Sequence, residues 1–314
     1  MPAWSAFACP TCHANLEHRN PALGQSPELT DELFCAAEGL SFQRSGGIWR
    51  FISTERATHY HQFKVEYENI RLAEGRGSRD ASYYRALPRQ DLSGSMSVDW
   101  QIRATSFDTM LQQVVMPLEA NGRSLAILDL GAGNGWLSNH LAKRGHQVAA
   151  VDLLDNDFDG LACAQYFQTE FTPVQAEFDL LPFPNNTADL VIFNASLHYS
   201  TNIQASLVEA LRVLRATGKL IILDSPVYHT GSSGQKMVQE RETHFQERFG
   251  FPSNTLQSEN YLTYQLLKTL AAPLALQWKF ITPFYGLRWM LRPLKAWLRA
   301  NREPAKFHII VGSR

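Results

Sequence analysis

The first chemistry legible in this chain lies in Asp129-Leu130-Gly131-Ala132-Gly133-Asn134-Gly135, which closes an apolar run beginning at Leu125. A strand would end at the acid and the glycines would follow as a turn. Without a Cβ they leave room for a ligand to touch bare backbone, and they adopt dihedrals that other residues avoid. A helical pattern begins at Trp136, so the turn also opens a helix whose unpaired N–H groups point at whatever binds. A second strand, 147–152, ends at Asp152, a carboxylate able to accept from two hydroxyls at once. The dinucleotide fingerprint G-x-G-x-x-G would need glycine where Trp136 stands, so no pyrophosphate is expected.

These groups need a sheet to hold them. Strand-like runs at 125–130, 147–152, 172–177, 189–194, 219–224, 277–282 and 307–312 alternate, over the first five, with helical patterns. Residues 202–214 are typical of those helices, with Ile203, Leu207, Ala210 and Leu214 on one side. Such alternation predicts an α/β fold with a doubly wound parallel sheet. Residues 1–52 read as a small cysteine-bearing module. Residues 53–120 read as a helical lid or linker, with Tyr60, Phe63, Tyr67 and Ile70 sharing one face and Ile102, Met110, Val114 and Leu118 another. Between these stripes, residues 75–97 are rich in Gly, Ser, Arg and Tyr and predict a long loop. The sheet domain is 121–314, with insertions at about 227–275 and 283–304.

The pattern D-x-G-x-G-x-G followed by Asp152 resembles motif I of the class I S-adenosylmethionine (SAM) methyltransferases, of the type 11 kind. The resemblance covers roughly 124–226 and extends loosely to the last strand. It implies a seven-stranded Rossmann-like sheet ending in an antiparallel hairpin, which 277–282 and 307–312 would form. It also implies SAM as cofactor, held by Asp129, Gly131, Ala132, Gly133, Asn134, Gly135 and Leu153, with Asp152 at the ribose hydroxyls. Glu177-Phe178-Asp179-Leu180-Leu181-Pro182-Phe183 resembles the family's acidic segment after the third strand. Glu177 then accepts from the adenine amino group and Phe178 gives the ring a backbone N–H. Asn194 would stand at the carboxyl edge of the fourth strand. Apart from the resemblance, Arg103 could fork onto the methionine carboxylate of SAM, with a solvated helix-face arginine as the competing reading.

Cys9-Pro10-Thr11-Cys12 is a knuckle that suits two tetrahedral zinc ligands, and Cys35 follows after a gap. The module resembles the zinc ribbons that precede some methyltransferase domains, including enzymes of ribosomal RNA, but its second knuckle is incomplete. The fourth ligand position falls on Glu38, with His13 as an alternative. A metal-free remnant held by apolar packing is the competing reading. Cys163 stands apart as an ordinary buried thiol.

Methyl transfer from a sulfonium is an in-line displacement that demands alignment, and a base only where the nucleophile carries a proton. His198, just past the fourth strand, is the leading base. Tyr84, in the Tyr83-Tyr84 pair, is the second catalytic candidate, on a loop able to fold over the mouth. Asp224, His229 and His244 are weaker candidates.

Composition bounds the partners. The 314 residues are 45% hydrophobic and 19% charged, with a formal net charge of −1, so nothing global draws the chain to nucleic acid. Four cysteines make no disulfide scaffold and the first twenty residues hold no apolar core, so a cytoplasmic setting is expected. Residues 279–306 nevertheless carry seven Lys or Arg against Glu303, a local +6 set against −7 elsewhere. Leu287, Leu291, Leu294 and Leu298 share a face beside Arg288, Arg292, Lys295 and Arg299, and Pro293 splits the stripe in two. Such a segment can lie on a membrane, with peripheral contact through 283–302, or grip phosphate, and a packed helix with a solvated basic edge is the competing reading. The leading function is a methyltransferase for a small-molecule acceptor. An RNA base methyltransferase using the ribbon, and a non-catalytic SAM-binding protein, are the alternatives. No N-P-P-Y-type motif follows the fourth strand, where Asn194-Ala195-Ser196-Leu197 stands.

Overall fold

A computed structural model describes residues 4, 6–18, 31–251, 256–299 and 301–314. The parts of the expected cysteine module at 1–3, 5 and 19–30, and of the two insertions at 252–255 and 300, lie outside the described residues.

The central strands are apolar on both sides because helices cover both faces of the sheet. They are β5 (Ala126–Leu130), β6 (Gln147–Asp152), β7 (Thr172–Gln175), β8 (Ala188–Asn194) and β9 (Leu214–Leu223). Every residue of β8 is buried. The N-terminal strands are β1 (Glu17–His18), β2 (Glu32–Cys35), β3 (Leu40–Ser45) and β4 (Ile48–Arg50), and the C-terminal hairpin is β12 (Gln277–Ile281) with β13 (Ile309–Ser313). Among the described residues one sheet runs β1-β2-β3-β4-β7-β6-β5-β8-β9-β13-β12. From β7 to β9 the pairing is parallel, and β13 returns antiparallel between β9 and β12. This is the doubly wound, seven-stranded arrangement expected, with chain order reversing between β5 and β8, where such sheets bind ligands. Two further short strands, β10 (Val227–Tyr228) and β11 (Leu262–Thr263), pair with each other.

The N-terminal strands extend the edge of that sheet. β4 pairs in parallel with β7, with Trp49 opposite Val174. Phe7 packs against Trp49, Phe51 and Phe183, and Trp4 meets Phe183 edge-on. The cysteine module is therefore fused to the main core through aromatic packing.

Ahead of the sheet, α1 (Thr54–Ala73) starts where the Ser53 hydroxyl accepts from the Arg56 N–H. The 75–97 segment is not the structureless loop expected. It carries α2 (Ala81–Ala86), capped by Asp80, whose Tyr83 and Tyr84 are buried. Then α3 (Ser97–Met110) continues through a π turn at Leu111–Val115 into the short α4 (Met116–Leu118), giving the second apolar stripe. The glycine turn opens α5 (Trp136–Lys143), and α6 (Ile203–Val213) follows β8. Around Cys163 the chain forms a 3-10 turn, Leu161–Tyr166. The first insertion holds α7 (Gly231–Phe249) and α8 (Tyr264–Ala271); the second holds α9 (Leu287–Met290) and α10 (Arg292–Leu298), divided near Pro293 as expected.

Candidate active site

The glycine turn is shaped by contact. Gly131, Gly133 and Gly135 all have positive φ. A Cβ on Gly131 would come 2.1 Å from the Ser196 Cβ, and one on Gly135 would come 2.7 Å from the Phe171 ring. Substitution at either is blocked by both space and dihedral. Asp152 fastens the turn: Oδ2 accepts from the Gly133 N–H at 2.8 Å and Oδ1 from the Leu154 N–H at 2.9 Å. Burial pushes the Asp152 carboxyl above its ordinary value, against these bonds.

Over the turn lies a cavity lined by Gly131, Ala132, Gly133, Asn134, Asp152 and Leu153 on the sheet side, with Glu177, Phe178 and Asn194 beside them. Its cover is α1 and α3, through Tyr60, Tyr67, Arg71, Trp100 and Arg103. The Arg71 Nε pairs with Asp159 Oδ2 at 3.1 Å, and Asn134 Nδ2 donates to Asp159 Oδ1 at 3.1 Å, tying α1 to the glycine turn. Glu177 faces the cavity, yet its carboxylate already accepts from Arg56 Nε at 2.9 Å and from the Tyr60 hydroxyl at 2.7 Å. Its expected role toward an adenine amino group is therefore shared with α1.

Two residues expected to hold the cofactor stand behind the cavity wall. Asp129 is fully buried on β5, accepts from the Ser138 hydroxyl at 2.7 Å, and is pushed up to about 7 by burial. Gly135 makes the left-handed turn into α5. Both shape the turn without facing the cavity.

A second chamber adjoins the first and shares Arg71, Arg76, Arg103, Ala195 and Tyr199 with it. His198 and Asp224 line this chamber. His198 is buried, with Nδ1 3.1 Å from the Ser225 hydroxyl; burial, then Arg241 and Arg103, lower it to about 3. Asp224, past the end of β9 with φ 51°, is raised to about 6 by burial. Its Oδ1 accepts from the Ser106 hydroxyl at 2.5 Å, which also meets the Tyr285 hydroxyl at 2.8 Å, while Oδ2 is buried with no partner. Positive φ at Ala195 and Asp224 is costly for residues with a Cβ and marks the two strand ends around this chamber.

Tyr84 is not at the mouth. It is fully buried, and its hydroxyl donates to the Ser78 carbonyl and, at 2.5 Å, to the Phe158 carbonyl while stacking on Tyr166. Tyr83, its neighbour, lines the first cavity instead.

The thiols of Cys9, Cys12 and Cys35 gather within 4.8 Å of one another, with Cys12 Sγ 3.6 Å from Cys35 Sγ. The Cys35 thiol is lowered by N–H groups of Glu38 and Ala37 and by the neighbouring thiols, against its burial. Glu38 thus contributes backbone. Its side chain is exposed and outside the cluster, as is His13, so neither completes the ligand set expected of it.

Residues 128–222 match the family model described as a methyltransferase domain. Over those residues the chain is similar to a methyltransferase domain. It is 38% identical over 104 residues to the ubiquinone/menaquinone biosynthesis C-methyltransferase UbiE of Blochmanniella floridana, which is 31% of this chain and 41% of that protein. It is 29% identical over 125 residues to the chloroplastic 2-methyl-6-phytyl-1,4-hydroquinone methyltransferase of Spinacia oleracea, 39% of this chain and 36% of that protein. It is also 30% identical over 96 residues to the mitochondrial arginine-hydroxylase NDUFAF5 of Rattus norvegicus, 30% of this chain and 27% of that protein. The chain therefore spans about two fifths or less of these relatives' lengths, and one of them is named for hydroxylation.

The cavity residues are mostly legible in the sequence as the glycine turn, Asp152 and the β8 end. Tyr60 and Tyr67 were visible only as a helical stripe, the same signal a core-facing helix gives. Asp159 and Trp100 had no sequence signal, because their part depends on α1 and α3 crossing the turn.

Proposed function

We propose that the chain is a SAM-dependent methyltransferase for a small-molecule acceptor. The observation that carries this reading is the pair of adjoining chambers, one over the glycine turn and one around Asp224. The residues present fit SAM. The turn is a cradle that a Cβ would fill at Gly131, and Asn194 Oδ1 is a buried acceptor without a partner beside it. When bound, SAM supplies an electrophilic methyl on its sulfonium. Asp152 would take the ribose hydroxyls, Phe178 and Glu177 the adenine, and Arg103 the methionine carboxylate.

Asp224 replaces His198 as the base in this proposal. With a value of about 3, the imidazole takes few protons at neutral pH, whereas a carboxylate near 6 with an unpartnered oxygen can accept one. Carbon or oxygen acceptors with an acidic proton suit such a base, in keeping with the quinol and quinone names of two relatives. Fusion of β4 to β7 speaks against a free-standing RNA-binding ribbon.

Two further assignments belong to the same proposal. Cys9, Cys12 and Cys35 would hold a structural zinc at the sheet edge. The second insertion would rest on an anionic lipid surface. Phe284, Leu287, Leu294, Trp297 and Leu298 are exposed, Trp297 by 75%, beside exposed Arg288, Lys295 and Arg299. Among the described residues no helix is long and apolar enough to cross a membrane. The four cysteines are free thiols, in keeping with a reducing cytoplasm.

The deciding experiment is transfer of a labelled methyl from SAM into the small-molecule fraction of a cell extract. Label recovered only in RNA would favour the ribosomal alternative. SAM binding by calorimetry with no label in any fraction would favour a non-catalytic binding protein.

A further inference from the structure

We propose that the acceptor bears an anionic group, a carboxylate or a phosphate, held by Arg241, Arg292 and Arg302 in the second chamber. The inference rests on the methyltransferase reading, which gives that chamber to the acceptor.

The chamber wall is predominantly positive. Arg71, Arg76, Arg103, Arg241, Arg292 and Arg302 line it, against Asp224 as the acid among the lining residues. Four of the arginines have carboxylate partners away from that wall. Arg71 pairs with Asp159, Arg76 with Glu74 and Asp99, Arg241 with Glu242 at 3.7 Å, and Arg302 with Glu240 at 2.7 Å. Arg103 and Arg292 make no ion pair among the described residues and lie over the rings of Trp100 and Trp289. Two donor nitrogens, Arg241 Nε and Arg292 Nη1, are buried with no hydrogen-bond partner.

Gathering like charges where they are partly shielded from water is costly, and leaving guanidinium donors unpaired adds to the cost. A bound anion removes both penalties. Guanidinium forks match carboxylate and phosphate oxygens better than a neutral ligand can. The carboxylate of SAM cannot be the sole anion responsible. On the proposed function it would lie in the first chamber, whose wall includes Arg71, Arg76 and Arg103 but not Arg241, Arg292 or Arg302. The far arginines are also held in place. Arg241 Nη2 donates to Asn260 Oδ1 at 2.9 Å, the Asn260 N–H donates to the His198 carbonyl at 3.0 Å, and Arg292 is braced 3.9 Å above Trp289. Such preorganisation lowers the entropy lost on binding. Burial and the neighbouring Arg302 hold the Arg292 guanidinium below its ordinary value, a field that an anion would relieve.

The test uses the full chain and three probes, phenyl phosphate, benzoate and neutral benzyl alcohol, titrated by calorimetry with and without saturating S-adenosylhomocysteine. SAM affinity is measured in parallel. At least one anion should bind saturably and about tenfold or more tighter than the alcohol, and the stronger of the two tells phosphate from carboxylate. Arg292→Gln and Arg241→Gln should each weaken it about tenfold, Arg292→Lys less so, with SAM affinity unchanged. Normal SAM binding without anion preference, or equal anion binding by the Gln variants, would overturn the proposal. Failure to bind SAM would count against the methyltransferase reading, while the titrations without cofactor would still decide the anion site.

Discussion

The Gly133 N–H donates to Asp152 Oδ2 at 2.8 Å. One carboxylate thus both clamps the glycine turn and faces the cavity over it. Removing it should cost the ribose contact and loosen the turn together. Asp152→Ala is expected to weaken SAM binding by roughly 1.5–3 kcal/mol, the worth of a hydrogen bond to a charged group, and Asp152→Asn by less. Unchanged affinity of Asp152→Ala in calorimetry would remove Asp152 from the cofactor site.

Asp224 is raised to about 6 by burial, against Arg103 and the Ser106 hydroxyl. A base works ionised, so methyl transfer should be full above this value and fall as pH drops through about 6. Asp224→Asn should lower turnover by about 10²-fold or more at neutral pH while leaving SAM affinity near normal. A pH–rate profile of labelled transfer checks both, and an unaltered rate in the variant would discharge Asp224.

His198 should make the fold sensitive to acid. Its imidazole is lowered from 6.5 to about 3 by burial and by Arg241 and Arg103. Between these values the unfolded chain binds the proton and the folded chain does not, so stability falls as pH falls from about 6.5. Denaturant unfolding at neutral pH and near pH 5 should show a smaller loss for His198→Gln than for the parent. Asp129 and Asp224 titrate with the opposite sign but are common to both proteins, so the comparison isolates the imidazole. Equal losses would show that His198 is charged inside the fold.

If the three-thiol cluster holds metal, elemental analysis should find about one zinc per chain. Cys35→Ser should release it and lower the melting temperature, since β2 and β3 hang on this corner. Glu38→Ala should retain it, because its side chain lies outside the cluster. Less than about a tenth of an equivalent in chelator-free protein would leave the corner to apolar packing.

The exposed face of α9 and α10 predicts sedimentation with vesicles containing anionic phosphatidylglycerol and little with neutral phosphatidylcholine. The double variant Leu294→Asp and Trp297→Asp should stay in the supernatant, and added salt should weaken binding by the parent. Binding that ignores both lipid charge and these substitutions would place the contact elsewhere or abolish it.

Local chemistry was legible in the chain. The glycine turn, the acid closing β6 and the paired-cysteine knuckle are set by residues close in sequence, where type and spacing alone dictate dihedrals and reach. The alternation of strand and helix dictated the parallel sheet for the same reason. What only the tertiary structure decided is which side chain of a local pair meets the cavity and which distant charges converge. Adjacent residues on a helix point in different directions, so whether Tyr83 or Tyr84 faces the site depended on how α2 docks, and packing turned Tyr84 inward. Glu177 gained Arg56 and Tyr60 because α1 folds back over the sheet across 121 and 117 residues of chain. Arg71, Arg241 and Arg292 reach one chamber from three separate helices. Long-range convergence of this kind is set by burial of apolar faces throughout the molecule, and no short window of sequence records it.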